Sequence, residues 1–580
     1  MGQMREQLKA YAASIGVKGF VSLWNSYLES VQNQKGAAMD NATCFDGQEI
    51  ELMSGEYICS DSGVTIPDRY GGETVVCPHP ILPVKRFVNI DTGEERLQIA
   101  YKKGYQWRHA IVEKSVLASS GAILQLSAKG VVVNSENAKE LSTYLLNIEQ
   151  LNYDAIPEQK SVSHLGWIED RGFAPYVDGL VFDGEQNFKR IFSAVTQKGD
   201  FDLWLLAMQK LRQRKGAGRF FLAAAFASVI IEPCGLLPFF LHCYGESEVG
   251  KSVGLMVAAS VWADPRIGEY ITTFNSTLVG QEMTAIFLNN LPMCIDELQI
   301  QESLGVRDFD KIIYHMCEGV GKTRGAKQGG LQKNGQWRNC FITSGERPIS
   351  NPSSKGGAIN RIIEIEITEK IYSDLPQLCS IITQNYGHAG KMFIEALQQD
   401  GAFDFIRETQ KRYYRELLEN DTTDKQAAAA SAILAADSFA TLKIFEDDNF
   451  LTVEDLAKVM ARREDINVHL KALSFLRELP SRYPKRFDTN DFKDYSGECW
   501  GKTDESYLYL LKSVFEETMS REGYNSVAFL RWARRRKLIA TSGEKTTKVI
   551  RIGDRTVRCV AIKMDDSAPS ESVEQTEIPF

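Results

Sequence analysis

Eight consecutive residues, Gly245-Glu246-Ser247-Glu248-Val249-Gly250-Lys251-Ser252, have the types and spacing that cradle a phosphate. The two glycines let the backbone turn so that its N–H groups point inward. Lys251 can then reach the outer phosphates, and the Ser252 hydroxyl can ligate Mg2+. The flanks suit this chemistry. Leu236–Tyr244 is mostly apolar and predicts a buried strand, while Val253–Trp262 predicts a buried helix whose start adds positive potential. All eight residues, Gly245 through Ser252, are therefore candidate nucleotide contacts.

Further along, the apolar run from Leu291 closes on Asp296-Glu297. Asp296 can hold Mg2+ through water, and Glu297 can polarise an attacking water. A third apolar run, starting at Arg338, ends in Thr343-Ser344-Gly345-Glu346. Either hydroxyl can sense the γ-phosphate or the lytic water. Gly356-Gly-Ala-Ile-Asn-Arg361 then leads into the β-type run Ile362–Ile367. An arginine here can neutralise transition-state charge in a neighbouring subunit's site. Arg347 is its nearest rival. The candidate catalytic set is thus Lys251, Asp296, Glu297, Thr343, Ser344 and Arg361, with Ser252 and Asp296 for the metal. Each has a plainer reading as a strand-end turn, a solvated acid or a surface ion pair worth little.

Between the Asp-Glu pair and the Thr-Ser strand lies Gly319–Gly335, which carries Lys322, Arg324, Lys327 and Lys333 and no acid. Gly319–Thr323 imitates a phosphate loop, but Met316 stands where the first glycine belongs and Ile312–Glu318 predicts a helix. The segment reads better as a basic loop or hairpin that grips DNA phosphates in a channel, or more plainly as a solvated loop. A second basic cluster, Arg531-Trp-Ala-Arg534-Arg535-Arg536-Lys537, can contact a nucleic-acid backbone or simply favour a helix C-terminus.

The elements that must position these residues exceed one core, since the chain has 580 residues. Alternating strand and helix signals over 205–370 imply a mostly parallel α/β sheet. The expected order is a helical segment over 1–36, a β-rich accessory domain over 40–200, the phosphate-loop core over 205–370, a helical lid over 373–445, a winged-helix-like domain over 450–563 and a disordered tail over 564–580. The β-type runs of the accessory domain include Glu73–Val76, Leu97–Tyr101 and Gly130–Val133. In the tail, Arg551-Ile-Gly-Asp-Arg555 supplies a hairpin turn.

Composition narrows the class. A net charge of −9 excludes a surface coated all over in nucleic acid but leaves room for a basic channel. No apolar run spans a bilayer; Phe220–Ile231 comes closest. Eleven cysteines without a Cys-x-x-Cys pair predict reduced core residues, Cys234, Cys243, Cys294 and Cys340 among them. Cys59, Cys77 and His79 lack metal-site spacing. The start has neither a secretion nor a myristoylation pattern, so a cytoplasmic protein is expected, and the bacterial host cell is what the family resemblance below implies.

The phosphate loop, Asp296-Glu297, the Thr343-Ser344 strand end and the Gly356–Arg361 segment stand in a familiar order, preceded by Gly166-Trp167. Over roughly residues 40 to 450 the chain resembles the phage and mobile-element ATPases known as domain of unknown function 927. These are similar to ring-shaped AAA+ helicases of the minichromosome-maintenance kind. The resemblance implies a hexameric, ATP- and Mg2+-dependent DNA helicase acting on single-stranded or forked DNA. It also implies an origin-binding or primase partner encoded by the same element. Under it Thr343 or Ser344 senses, Arg361 acts in trans, and Lys425 is a candidate second sensor in the lid. The usual sensor asparagine is not evident. An ATPase switch or motor without unwinding, a P-loop phosphotransferase and a nucleotide-binding scaffold are the rival readings.

Overall fold

The structure is a computed structural model. It describes residues 2–21, 23–24, 41–68, 72–169, 171–297, 309–322, 334–350, 356–461, 467–488, 498–543, 545–552 and 555–564. Arg324, Lys327 and Lys333 of the basic loop, and the tail after 564, lie outside the described residues. The chain divides into two compact units, Met1–Phe192 and Ser193–Phe580.

The first unit is built on a mixed five-stranded sheet. Its order is Val181–Phe182, Glu158–Val162, Ile81–Asn89, Glu95–Lys103, Gln106–Glu113. The last three strands are antiparallel. Helix Ala138–Leu151 buries Leu141, Tyr144, Leu145 and Ile148 in the same apolar cluster as Leu97 and Ile99 of the sheet. A separate three-stranded antiparallel sheet joins Ile58–Ser60, Gly63–Pro67 and Glu73–Cys77. The expected strand at Gly130–Val133 is absent. Gly130 instead ends the 3-10 segment Ile123–Lys129 with a positive φ of 101°, and the Val132 N–H goes to His79 Nε2 at 3.0 Å rather than to a neighbouring strand.

The second unit holds an all-parallel sheet. Its order is Thr272–Thr273, Met293–Asp296, Cys340–Gly345, Phe239–Gly245, Ile362–Ile367. The fold is thus mixed α/β with a parallel sheet and helices. Every crossover in such a sheet needs a covering helix, which is why these strands read as near-continuous apolar runs. Helix Lys251–Ser260 lies so close to helix Gly218–Ala227 that a Cβ on Gly254 would come within 2.4 Å of Phe221. Glycine is required there by contact, not by backbone conformation.

Among the described residues, the one helix long and apolar enough to cross a membrane by length and composition is Asp424–Phe445, not Phe220–Ile231. Yet 83% of its apolar window is buried inside the protein. Its alanines make it apolar and narrow at once, so it packs as a core helix against Gly218–Ala227 and Ala402–Leu418. Arg212 anchors it. This 1% exposed guanidinium bonds Asp437 at 2.7 Å and Asp447 at 3.2 Å, and also meets Thr441. Burial raises the Asp437 carboxyl, with Arg212 opposing that shift.

Residues 467–564 form a further core around Leu473, Leu476, Leu508, Phe515 and Phe529. Helices Val468–Arg482, Lys512–Arg521 and Ser526–Arg535 surround an antiparallel hairpin, Lys548–Ile552 with Arg555–Lys563. The expected Gly-Asp turn falls between the paired Ile552 and Arg555, just outside the described residues.

Arg212→Leu strips Asp437 of its ion-pair partner and leaves the buried carboxylate with the Leu451 N–H. Its expected cost is about 3–5 kcal/mol of unfolding free energy, read by urea titration.

Candidate active site

The strand Phe239–Gly245 delivers the phosphate-loop sequence to the C-terminal edge of the sheet, where ligands of open α/β sheets bind. Gly245 has φ 153°, and a Cβ on it would meet the Ile367 carbonyl oxygen at 2.4 Å. Gly250 has φ 97°, and a Cβ there would press on Leu375 and Ile371 at 2.8 and 2.9 Å. Both glycines are therefore demanded by conformation and by space. Helix Lys251–Ser260 starts at once, so its free N–H groups face the loop. Glu248 is held at φ 69°, a left-handed conformation that costs a non-glycine residue about 1 kcal/mol or more.

Lys251 Nζ bonds the carbonyls of Gly245 at 2.8 Å and Glu246 at 2.6 Å. Its ammonium thus rests on loop oxygens, a geometry in which anionic oxygens can replace carbonyl ones. Asp296 ends the neighbouring strand but one and is buried. Its Oδ1 accepts from the Glu297 N–H at 3.0 Å and from the Ser344 hydroxyl. Glu297 is exposed and sits at φ 59°, a second strained non-glycine residue at the same edge. A cavity of about 530 Å³ brings together Ser247, Glu248, Gly250, Lys251, Ser252, Asp296, Glu297 and Ser344.

Ser344 and Thr343 part ways. Strand Cys340–Gly345 lies between the loop strand and the acid strand, and alternation turns adjacent side chains to opposite faces. Ser344 faces Asp296. Thr343 faces away, its Oγ1 2.9 Å from His242 Nδ1. His242 Nε2 contacts the Arg347 carbonyl at 2.8 Å. Burial pushes His242 down from its usual 6.5 to about 4, only partly offset by that carbonyl, so the ring stays neutral.

The residues fit Mg2+. Ser252 and Asp296 present one hydroxyl and one carboxylate to the same cavity, and Mg2+ usually takes few protein oxygens and fills its shell with water and phosphate.

Arg361 is not in this cavity. It opens strand Ile362–Ile367, which runs parallel to the loop strand with Phe240 opposite Ile362 and Gly245 opposite Ile367. At about 3.3 Å per residue, Arg361 lies about 20 Å from the loop, at the far end of the sheet. There it stacks on Tyr314 at 4.7 Å. Lys425 is beside it rather than at the cavity; burial first, then the Arg361 charge, pulls its ammonium below the usual value. Gln426 fixes this corner by donating to the carbonyls of Ile359 and Ile362 at 3.0 and 2.8 Å.

The basic segment has a hairpin base. Gly321 N–H donates to the Gly335 carbonyl at 2.8 Å, Trp337 N–H to that of Gly319 at 3.1 Å, and Val320 faces Gln336 antiparallel. Lys322 is exposed just beyond it. The fully buried Trp337 pins the base through Met316 at 2.7 Å.

Sequence reasoning missed His242, Tyr314, Ile371 and Leu375. An apolar strand with one histidine gives no local signal, and Ile371 reaches the loop from far along the chain, by a backbone bond to Val249 at 3.1 Å and by its side chain against Gly250.

Residues 60–337 match the family model described as domain of unknown function (DUF927). That stretch is similar to the DUF927 family. The match runs from the β-rich unit through the phosphate loop to the hairpin base, so the resemblance read from the motifs holds. Residues 467–567 match a second model, described as the Cch helix turn helix domain. No curated protein matches the chain. Among solved structures, one described as "SCCmec type IV Cch - active helicase" is 17% identical and covers 90% of this chain and 98% of its own, with a TM-score of 0.64. It shares the fold. Another, described as the A form apo structure of the NrS-1 C terminal region, is 12% identical and covers 65% of this chain and 91% of its own. Its TM-score of 0.25 supports no comparison.

The buried His242 makes stability depend on pH. Between about pH 4 and 6.5 the unfolded chain holds the proton that the folded chain refuses, so stability is lost as pH falls through that window, by up to about 3 kcal/mol. His242→Gln should shrink the difference between unfolding free energies measured at neutral and acidic pH by about that amount.

Proposed function

We propose that this chain is an ATP-driven DNA helicase or translocase of a phage or mobile element, hydrolysing ATP between the subunits of a ring, with a hexamer as the simplest assembly. The observation that carries this is the split geometry. Lys251, Ser252, Asp296, Glu297 and Ser344 meet at one edge of the sheet, while Arg361 stands at the other. An arginine so placed cannot serve its own cavity and can serve a neighbour's. The neighbouring structure described as an active helicase, and the helix turn helix match, point the same way.

In this reading, residues 205–370 are a P-loop AAA+ core, 373–445 its lid and 450–563 a winged-helix-like DNA module. Gly245–Ser252 wraps the β- and γ-phosphates, with the Lys251 ammonium moving from carbonyl to phosphate oxygens. Ser252 and Asp296 would hold Mg2+, which neutralises phosphate charge when bound. Glu297 orients and deprotonates the attacking water. Ser344 keeps Asp296 aimed and lies where a sensor would contact that water; Thr343 leaves the role to it. Arg361 of the adjacent subunit stabilises charge on the transferring phosphoryl group. Lys322 at the hairpin base, with Arg324, Lys327 and Lys333 beyond it, grips the strand backbone.

Glu297→Gln should keep ATP binding and lower turnover by about 10²–10⁴-fold. Unchanged turnover would exclude the base role. Lys251→Ala and Arg361→Ala should each be inactive alone, and mixing them should restore part of the activity. Failure to complement would place Arg361 outside the neighbour's site. Displacement of a strand from a forked duplex separates the helicase from an ATPase motor that does not unwind.

A further inference from the structure

The hairpin Glu95–Lys103 with Gln106–Glu113 in the first unit ends in a two-residue turn, Gly104-Tyr105. Such turns favour glycine and asparagine, and nothing in their geometry calls for an aromatic residue. Tyr105 is nevertheless there, 100% exposed, with its whole ring in water.

The charges around it are arranged unusually. Nearby, two lysines are matched. Lys102 pairs with Asp46 and Asp61, each at 3.4 Å, and Lys114 with Glu95 and Glu149 at 2.5 and 2.7 Å. The cations at the tip are not. Tyr101, Lys103 and Arg108 share one face, since Tyr101 faces Arg108 and Lys103 faces Gln106 across the strands. The Lys103 ammonium extends over Gly130, so that a Cβ there would lie 3.1 Å from it. Lys129, beside Gly130, is held to the hairpin by Tyr101 Oη on its carbonyl at 2.5 Å and by its own Nζ on the Ile111 carbonyl at 2.9 Å. Lys103, Arg108 and Lys129 are all exposed, and none has an acidic partner among the described residues. Lys103 and Arg108 flank the tip and Lys129 lies further down the hairpin, and like charges set along one face beside a bare aromatic ring gain nothing from folding. They suit a ligand that alternates negative charge with flat apolar surface.

We propose that this hairpin tip is a contact site for single-stranded nucleic acid, with Tyr105 stacked on a base and Lys103, Arg108 and Lys129 on the flanking phosphates. A duplex hides its base faces in the stack, so a single strand is the form the ring can use. The site extends the DNA reading to the first unit and is independent of the nucleotide cavity.

The test uses the full chain and fluorescently labelled oligo-dT, with anisotropy read over a range of salt concentrations. Tyr105→Ala should weaken binding about tenfold, while Tyr105→Phe keeps it. Lys103→Gln with Arg108→Gln should flatten the salt dependence by about 0.7 in log–log slope for each charge removed. Because all these side chains are exposed, thermal melting should not change. Variants that bind oligo-dT like the wild type overturn the site. So does a loss confined to phosphatidylserine–phosphatidylcholine vesicles, which would make the tip a membrane contact. A fall in oligomeric state with Tyr105→Ala would make it a contact between copies and overturn the site likewise. If the wild type unwinds a fork while the tip variants bind normally, this site alone fails. If the wild type neither binds oligo-dT nor hydrolyses ATP, the functional reading fails with it.

Discussion

Parallel register is the constraint on which the rest depends. Because all five strands of the sheet that carries the phosphate-loop sequence run the same way, every strand-to-loop transition falls on one edge and every loop-to-strand transition on the other. Gly245, Asp296 and Ser344 end their strands and so meet. Arg361 begins its strand and so cannot join them. One sheet thereby offers an acceptor site on one edge and a cation on the opposite edge.

The contacts at the cavity follow from that placement. Asp296 is buried, yet its oxygen is satisfied by the Ser344 hydroxyl and the Glu297 amide, so the carboxylate is aimed rather than free to turn. Glu297, by contrast, is exposed on a left-handed backbone. A strained exposed acid thus stands next to an aimed buried one, and the two neighbouring carboxylates have different environments. The hairpin base is tied to the same machinery by chain connectivity. Trp337 is pinned under it, and the strand that follows, Cys340–Gly345, carries Ser344 next to its end.

Much of the site was legible in the sequence because its chemistry is local. A phosphate loop needs its glycines, lysine and serine within eight residues, and the flanking apolar runs declare a buried strand and helix. The acid pair and the Thr-Ser strand end were legible for the same reason. The choice between Thr343 and Ser344 was not, since it depends on which face of a central strand looks toward Asp296. Lys425 was read as a lid sensor because sequence distance says nothing of which edge a lid helix begins on. Gly130–Val133 looked like a strand by composition, but no neighbouring strand was there to pair with it.

The sequence by itself determined the parts: a loop of phosphate-loop type, an acid pair that ends a strand, a basic segment before the Thr343-Ser344 strand and an apolar helix of alanines. Those follow from short-range spacing and residue type. Only the tertiary structure decided which parts meet. Strand order and register put Ser344 on Asp296, turned Thr343 to His242 and sent Arg361 to the far edge. They also left Tyr105 bare among unmatched cations. Such outcomes rest on contacts between residues far apart in the chain, and a linear pattern does not encode which of many apolar strands will lie side by side.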